Sequence, residues 1–203
     1  ILNDLIKLSN PSDNLRTIFV WPEGALSGIY FDELKNYSEI FLKNFSDNHI
    51  IIMGISTRSL KNKEIYNSMV VINNKLDLIN KYNKNKLVPF GEFLPFEFFF
   101  NSLGFKKITY GYESFSKGKK RDLISINKSG YNIQFLPLIC YEIIYSGFIN
   151  SNRENFDLII NISEDGWFGN SIGPDQHFSH SIFRAIEEGK NIIRSANNGI
   201  SAY

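Results

Sequence analysis

The sequence HIIIMGIS occupies residues 49–56, and its nearly unbroken run of β-branched and apolar side chains predicts a β-strand. A strand without alternating polar residues is usually covered on both faces by other layers of structure. Such strands are typical of α/β proteins, in which a sheet lies inside the molecule. This segment therefore predicts a layered α/β fold.

The neighbouring segments extend this prediction along the whole chain. Ile65–Ile72 and Leu76–Tyr82 flank the turn-forming pair Asn73-Asn74, which predicts a β-hairpin. Two helices are expected, an amphipathic one at Phe31–Phe45 and a second at Pro174–Gly189. We predict further strands at Thr17–Val20, Tyr131–Ile139, Asp157–Ile162, Ile192–Ser195 and Ile200–Tyr203.

Composition excludes several classes of protein. The hydrophobic content of 43% excludes a disordered chain, and the net charge of +1 gives no support for nucleic-acid binding. A single cysteine cannot form an internal disulfide. The longest apolar stretch, Phe135 to Ile149, contains Glu142 and is too short to cross a bilayer. The first residues have no clear strand to start a sheet, and the chain stops at Tyr203 inside a predicted strand, so we expect the natural polypeptide to continue in both directions.

Three chemically competent side chains follow strand-like runs. Glu23 comes after Ile18–Pro22, Lys84 follows the second hairpin strand, and Cys140 ends the run Phe135–Ile139. Strand ends gather functional groups in open α/β sheets. A carboxylate can accept the thiol proton, and a lysine ammonium can stabilise an oxyanion. The set therefore predicts acyl transfer through a thioester.

Each of these residues also has an ordinary explanation when it is taken alone. A lone cysteine is more often an inert buried side chain, and Glu23 and Lys84 could be solvated surface residues. His177 and His180 lie three apart on one predicted helix, which suits a metal pair. No third ligand is evident, so we predict neither a metal nor a cofactor.

The motifs together resemble the nitrilase, or carbon–nitrogen hydrolase, superfamily. The resemblance extends from Thr17 to Tyr203. In detail, the sequence is similar to the apolipoprotein N-acyltransferase branch of this superfamily. It rests on the segments Trp21-Pro22-Glu23, Tyr82-Asn83-Lys84, Leu87–Glu92, Cys140-Tyr141-Glu142, Asp165–Phe178 and Arg194–Ile200.

The resemblance implies a fold and a domain organisation. It implies a four-layer αββα sandwich in which residues 1–203 form one catalytic domain. In relatives, membrane helices flank this domain, and we expect them to be absent from these 203 residues. It also implies that the catalytic residues lie at one edge of the two sheets.

The resemblance implies roles for individual residues as well. Glu23 corresponds to the general base, Lys84 to the oxyanion-stabilising lysine and Cys140 to the nucleophile. Three further residues correspond to supporting residues of the family. Glu92 would orient the lysine, and the backbone N–H of Tyr141 would be the second oxyanion donor. Glu142 is the second residue of the pair that follows the nucleophile.

The implied activity is a two-step acyl transfer. A fatty acyl chain moves from a glycerophospholipid, through a thioester on Cys140, to the N-terminal α-amine of a diacylglyceryl-cysteine apolipoprotein. The implied partners are a phospholipid donor, an apolipoprotein acceptor and the membrane, with no nucleic acid. The implied location is a bacterial inner membrane, with the catalytic domain on the periplasmic side.

The aromatic segment Phe93–Phe105 has two interpretations. Its side chains Phe96, Phe98, Phe99 and Phe100 would either dip into lipid and admit acyl chains or pack beneath a loop.

Two alternatives to the acyltransferase remain. A soluble nitrilase-type amidase that acts on a small carbon–nitrogen substrate would use the same three residues. A catalytically inactive interaction module is the other alternative, and the presence of all three chemical groups argues against it.

Overall fold

The computed structural model describes residues 1–59, 61, 63–93, 114–128, 130–150 and 154–203. Its α-helices are α1 Leu2–Ser9, α2 Ser38–Asn44 and α3 Gly173–Glu188. Its strands are β1 Thr17–Val20, β2 His49–Arg58, β3 Ile65–Asn73, β4 Leu78–Asn83, β5 Ile124–Ile126, β6 Ile133–Ile139, β7 Leu158–Glu164 and β8 Asn191–Asn197. Short 3₁₀ helices occupy Glu33–Tyr37, Cys140–Ile144 and Gly166–Phe168.

The strands form two four-stranded sheets, in the orders β1-β2-β3-β4 and β5-β6-β7-β8. In the first sheet β1 runs parallel to β2, and β2, β3 and β4 are antiparallel neighbours. In the second sheet β6, β7 and β8 are parallel, and β5 is antiparallel to β6. The predicted hairpin at Asn73-Asn74 is confirmed, because it joins β3 to β4.

The two sheets pack face to face, with helices outside. Ile52 and Met69 of the first sheet and Phe135 and Ile160 of the second belong to one buried cluster between the sheets. Side chains of α1, α2 and the 3₁₀ helix Glu33–Tyr37 cover the outer face of the first sheet. On the second sheet, α3 packs against β8 and the 3₁₀ helix that begins at Cys140. The predicted αββα sandwich is confirmed.

The predicted helix at Phe31–Phe45 is partly wrong. Tyr30 bridges to Ser56 at the edge of the first sheet, and the Phe31 N–H donates to the Ser56 carbonyl oxygen at 2.9 Å. Because this pairing holds the start of the segment against the sheet, helical structure begins at Glu33 as a 3₁₀ turn and becomes α-helical only at Ser38. Leu42, in the α-helical part of the segment, is exposed.

The predicted strand at Ile200–Tyr203 is also wrong. The chain turns back at Asn198, which has a φ of 54°, and forms a single antiparallel bridge between Arg194 and Ala202. One bridge ties the segment to β8 without extending the sheet. The sequence pattern also missed β5, whose three residues are too few to show a period.

Two sequence-based predictions concern membrane contact. Phe96, Phe98, Phe99 and Phe100 lie outside the described residues, so the lipid-entry interpretation stays a prediction. Among the residues that are described, no helix has the length and apolar character needed to cross a bilayer.

Candidate active site

The three predicted catalytic residues all lie at strand ends, as expected. Glu23 lies three residues beyond β1, and Lys84 and Cys140 directly follow β4 and β6. All three are buried. β1 runs parallel to β2, and β2, β3 and β4 alternate in direction. β1 and β4 therefore point the same way, and their carboxyl ends lie at the same end of the first sheet. The Glu164 N–H, at the end of β7, donates to Glu23 Oε2 at 2.9 Å and so links the two sheets at the site.

A buried charge cluster surrounds the lysine. Lys84, whose side chain is only 1% exposed, places Nζ 2.9 Å from Glu92 Oε2 and 3.6 Å from Glu23 Oε1. Glu92 is fixed in turn by the Val88 N–H, which donates to its Oε2 at 2.9 Å. Sequence reasoning placed Glu92 beside the lysine, and the structure brings the two together.

Asn67 is a site residue that sequence reasoning missed. Its Nδ2 amide donates to Glu23 Oε1 and to Glu92 Oε1, each at 2.7 Å, and the side chain is buried. Asn67 therefore holds the two carboxylates in a fixed relation on either side of the ammonium. The available signal was the polar pair Asn67-Ser68 inside an otherwise apolar predicted strand.

Burial and neighbouring charge shift the proton affinities of the cluster. Burial raises the pKa of the Glu23 carboxyl above its ordinary value, and the Lys84 ammonium only partly opposes that rise. For Lys84, burial alone would lower the pKa, but the carboxylates of Glu23 and Glu92 outweigh it and raise the pKa. Lys84 therefore stays protonated, while Glu23 binds a proton more readily than an exposed carboxylate does.

Cys140 sits in a strained turn. Its φ is 51°, in the left-handed region that residues with a Cβ rarely adopt, and its Sγ lies 3.9 Å from the carbonyl oxygen of Glu164. Burial and the Glu23 charge raise the pKa of the Cys140 thiol to about 12, although Lys84 opposes them. Cys140 is therefore a neutral thiol before the reaction begins. The side chain of the next residue, Tyr141, is 38% exposed.

Glu142 connects the cysteine turn to the lysine loop. Its side chain is fully buried, and Oε2 accepts a hydrogen bond from the Ile139 N–H at 3.0 Å. Its Oε1 faces four donors on other segments: the Tyr82 hydroxyl, the Asn85 and Lys86 backbone N–H groups and the Arg121 guanidinium. Glu142 therefore fixes the position of Cys140 relative to Lys84.

A second buried polar network lies behind the cysteine turn. His177 places Nε2 3.2 Å from the Cys140 carbonyl oxygen and Nδ1 2.8 Å from Asp165 Oδ1. Arg194 Nη2 lies 2.7 Å from Asp165 Oδ2. His180 instead packs edge-on against Phe183. Within the described part of the chain, no three His, Cys, Asp or Glu side chains are grouped as metal ligands.

The sequence also matches a family model. The model described as carbon-nitrogen hydrolase matches residues 16–203. The chain belongs to the carbon-nitrogen hydrolase family. A solved structure has the same fold: Nit3 of Saccharomyces cerevisiae, a member of branch 10 of the nitrilase superfamily, superimposes with a TM-score of 0.60 at 19% identity, over 96% of this chain and 67% of Nit3.

Curated relatives of this carbon-nitrogen hydrolase chain are more similar in sequence. The apolipoprotein N-acyltransferase of Rickettsia prowazekii is 39% identical over 199 residues, which cover 95% of this chain and 38% of the relative. The apolipoprotein N-acyltransferase of Wigglesworthia glossinidia brevipalpis is 37% identical over 213 residues, covering 99% of this chain and 40% of the relative. The chain thus spans about two fifths of the length of these relatives.

Proposed function

We propose that the chain is the catalytic domain of an apolipoprotein N-acyltransferase, formed by residues 1–203 as one unit. The observation that carries the proposal is the buried cluster of Glu23, Lys84 and Glu92 beside the Cys140 thiol. The names of the curated relatives support acyl transfer over hydrolysis of a small amide.

The first half-reaction begins with a proton transfer. Because the Cys140 thiol is neutral at physiological pH, it needs a base, and the Glu23 carboxylate has its proton affinity raised by burial. Glu23 takes the thiol proton while Sγ attacks the ester carbonyl carbon of a glycerophospholipid. The carbonyl π-electrons move to oxygen, and a tetrahedral oxyanion forms.

Lys84 and the Tyr141 backbone N–H stabilise this oxyanion. Donors of this kind typically lower a barrier by about 3 kcal/mol each. Glu92 and Asn67 hold the ammonium and the base in place, so little reorganisation accompanies the step. When the oxyanion collapses, the ester C–O bond breaks, Glu23 gives its proton to the departing lysophospholipid oxygen, and an acyl thioester remains on Cys140.

The second half-reaction consumes the thioester. The acceptor is the N-terminal α-amine of a diacylglyceryl-cysteine apolipoprotein. Glu23 takes a proton from the amine as its nitrogen attacks the thioester carbonyl, and the C–S bond then breaks. The amide product leaves, and the sulfur recovers the proton from Glu23. The two half-reactions form a ping-pong cycle without a cofactor.

Both substrates carry acyl chains, so the proposal includes a membrane. We place the protein in a bacterial inner membrane, with this domain on the periplasmic side. The segment containing Phe96, Phe98, Phe99 and Phe100 follows Glu92 in the chain and is the proposed entry for acyl chains. Excluding water there would protect the thioester from hydrolysis.

The test is reconstitution of the full-length protein with phospholipid and a diacylglyceryl-cysteine peptide, followed by mass spectrometry of the peptide. We expect one added acyl chain on the peptide amine. Glu23→Gln, Lys84→Met and Cys140→Ala should each abolish it, while Lys86→Met, at an exposed lysine two residues from Lys84, should not. Turnover of small amides without peptide acylation would show that the protein is an amidase instead.

A further inference from the structure

His177 is buried behind the cysteine turn, and the reaction steps above make no use of it. It lies near the start of α3, where the Phe168 ring packs edge-on against it at a centroid distance of 5.5 Å. Its two ring nitrogens face the Asp165 carboxylate and the Cys140 carbonyl oxygen. The ring therefore connects a buried ionic group directly to the main chain of the nucleophile.

The surroundings of His177 fix the ring orientation. Ser163 Oγ donates to Asp165 Oδ1 at 2.7 Å, and Arg194 Nη2 lies 2.7 Å from Oδ2. Burial alone would raise the pKa of the Asp165 carboxyl, but the hydrogen bonds from His177 and Ser163 and the charge of Arg194 lower it, so Asp165 is a carboxylate. A carboxylate anchored at both oxygens leaves the imidazole one favourable orientation.

The proton positions follow from the partners. A carboxylate and a peptide carbonyl only accept hydrogen bonds. The Nε2 atom can therefore bond the Cys140 oxygen, 3.2 Å away, only when Nε2 carries a hydrogen. Nδ1 faces both an acceptor, Asp165 Oδ1 at 2.8 Å, and a donor, Arg194 Nη2 at 3.2 Å, so Nδ1 has a partner whether or not it carries a hydrogen, and Nε2 can keep its own.

The Cys140 carbonyl belongs to a rigid unit. Its oxygen and the Tyr141 N–H lie on opposite sides of one planar trans peptide. Fixing the oxygen therefore fixes the direction of the N–H. A hydrogen bond to the oxygen also polarises the peptide and strengthens its N–H as a donor. The left-handed φ of Cys140 makes such an anchor necessary, because this backbone conformation is unfavourable for a residue with a Cβ.

We propose that His177, oriented by Asp165, is a positioning residue that aims the Tyr141 N–H at the oxyanion. This inference rests on the proposed function only in assigning that N–H to the oxyanion. It predicts a specific defect: loss of the His177 donor slows reactions that pass through a tetrahedral oxyanion and spares reactions of the sulfur that do not.

The experiment compares two reactions of Cys140 in the full-length protein. Acylation by p-nitrophenyl butyrate forms an oxyanion, whereas alkylation by iodoacetamide displaces iodide directly and forms none. Neither reagent requires phospholipid or apolipoprotein, so failure of the lipid reaction would leave the comparison intact. His177→Gln can keep an amide N–H near the position of Nε2, and His177→Asn cannot reach it.

We expect His177→Asn to slow acylation by about 10- to 100-fold while alkylation changes by less than about twofold. His177→Gln should recover most of the acylation rate. Equal loss of both reactions, equal rates for Asn and Gln, or unchanged acylation would overturn the proposal. If His177→Asn loses its cooperative melting transition, Asp165→Asn is the substitute, with the same expected selective loss of acylation and the same contradicting results.

Discussion

Replacing Lys84 by methionine removes the cation between two buried carboxylates while nearly conserving volume. Lys84 is 1% exposed, with Glu92 Oε2 at 2.9 Å and Glu23 Oε1 at 3.6 Å. The cost of burying an ammonium and its attraction to buried partners often nearly offset each other. The main cost of Lys84→Met is therefore that two carboxylates, both bonded to Asn67, face each other without a counter-charge.

The protein can relieve this repulsion by binding one proton. The free energy needed to keep that proton bound sets the size of the stability loss in Lys84→Met. Each pKa unit corresponds to about 1.4 kcal/mol. Keeping a carboxyl of ordinary pKa 4.5 protonated thus costs about 3.5 kcal/mol at pH 7 and about 0.7 kcal/mol at pH 5. The pKa of this carboxyl is higher in the folded protein than in the unfolded protein. The stability that the bound proton contributes is therefore fully present below the unfolded-state pKa and is lost as the pH rises through the folded-state pKa.

The assay is equilibrium urea denaturation of wild type, Lys84→Met and Lys86→Met at pH 5 and pH 7, followed by tryptophan fluorescence. We expect Lys84→Met to lose about 3 kcal/mol of unfolding free energy at pH 7 and under about 1 kcal/mol at pH 5. Lys86→Met, the exposed control, should change by less than about 0.5 kcal/mol at either pH. A loss for Lys84→Met that is the same at both pH values would refute the reasoning.

Three further perturbations test other parts of the site. Asn67→Leu removes the amide shared by the two carboxylates, so peptide acylation should fall by about 10- to 100-fold; a rate within about twofold of wild type would contradict its positioning role. Glu23→Gln removes a charge that raises the pKa of Cys140, so iodoacetamide should alkylate Cys140 faster at pH 9 even though acyl transfer is lost; slower alkylation would count against this electrostatic account. Glu142→Leu leaves Arg121, whose side chain is only 11% exposed, without its carboxylate partner, so urea denaturation should show a loss of about 3 kcal/mol, part of which Glu142→Leu/Arg121→Leu recovers; strictly additive losses would disprove the coupling.

The chemical groups of the site were predictable from the sequence because each follows a predicted strand. Glu23 and Cys140 are uncommon polar endings to apolar runs, Lys84 follows a strand whose last residues are mostly polar, and the motif resemblance added Glu92 and Glu142. Asn67 and Asp165 were missed because each has a decisive partner far away in the chain: Asn67 contacts residues 44 and 25 positions away, and Asp165 contacts Arg194, 29 positions away. Sequence periodicity reports only local neighbours, so it cannot reveal an amide that bridges two distant carboxylates.

Much of the fold was also predictable, and the errors have specific causes. β2 and β3 are long, apolar and separated by clear breaks, so their pattern is strong. The segment at Phe31–Phe45 has a helical period, but pairing between Tyr30 and Ser56 overrides that local preference at its start. Ile200 to Tyr203 has strand-like composition, yet it makes only one bridge to β8. A long-range contact decided the first structure, and the local turn at Asn198 decided the second.

The central claim is that Cys140 carries an acyl thioester during turnover. The most direct measurement is intact-mass spectrometry of the full-length protein after incubation with phospholipid and without acceptor. The account predicts a single acyl-sized mass increase that hydroxylamine removes and that is absent from Cys140→Ala. No acyl adduct on a wild-type protein that still transfers acyl chains to the peptide would contradict it.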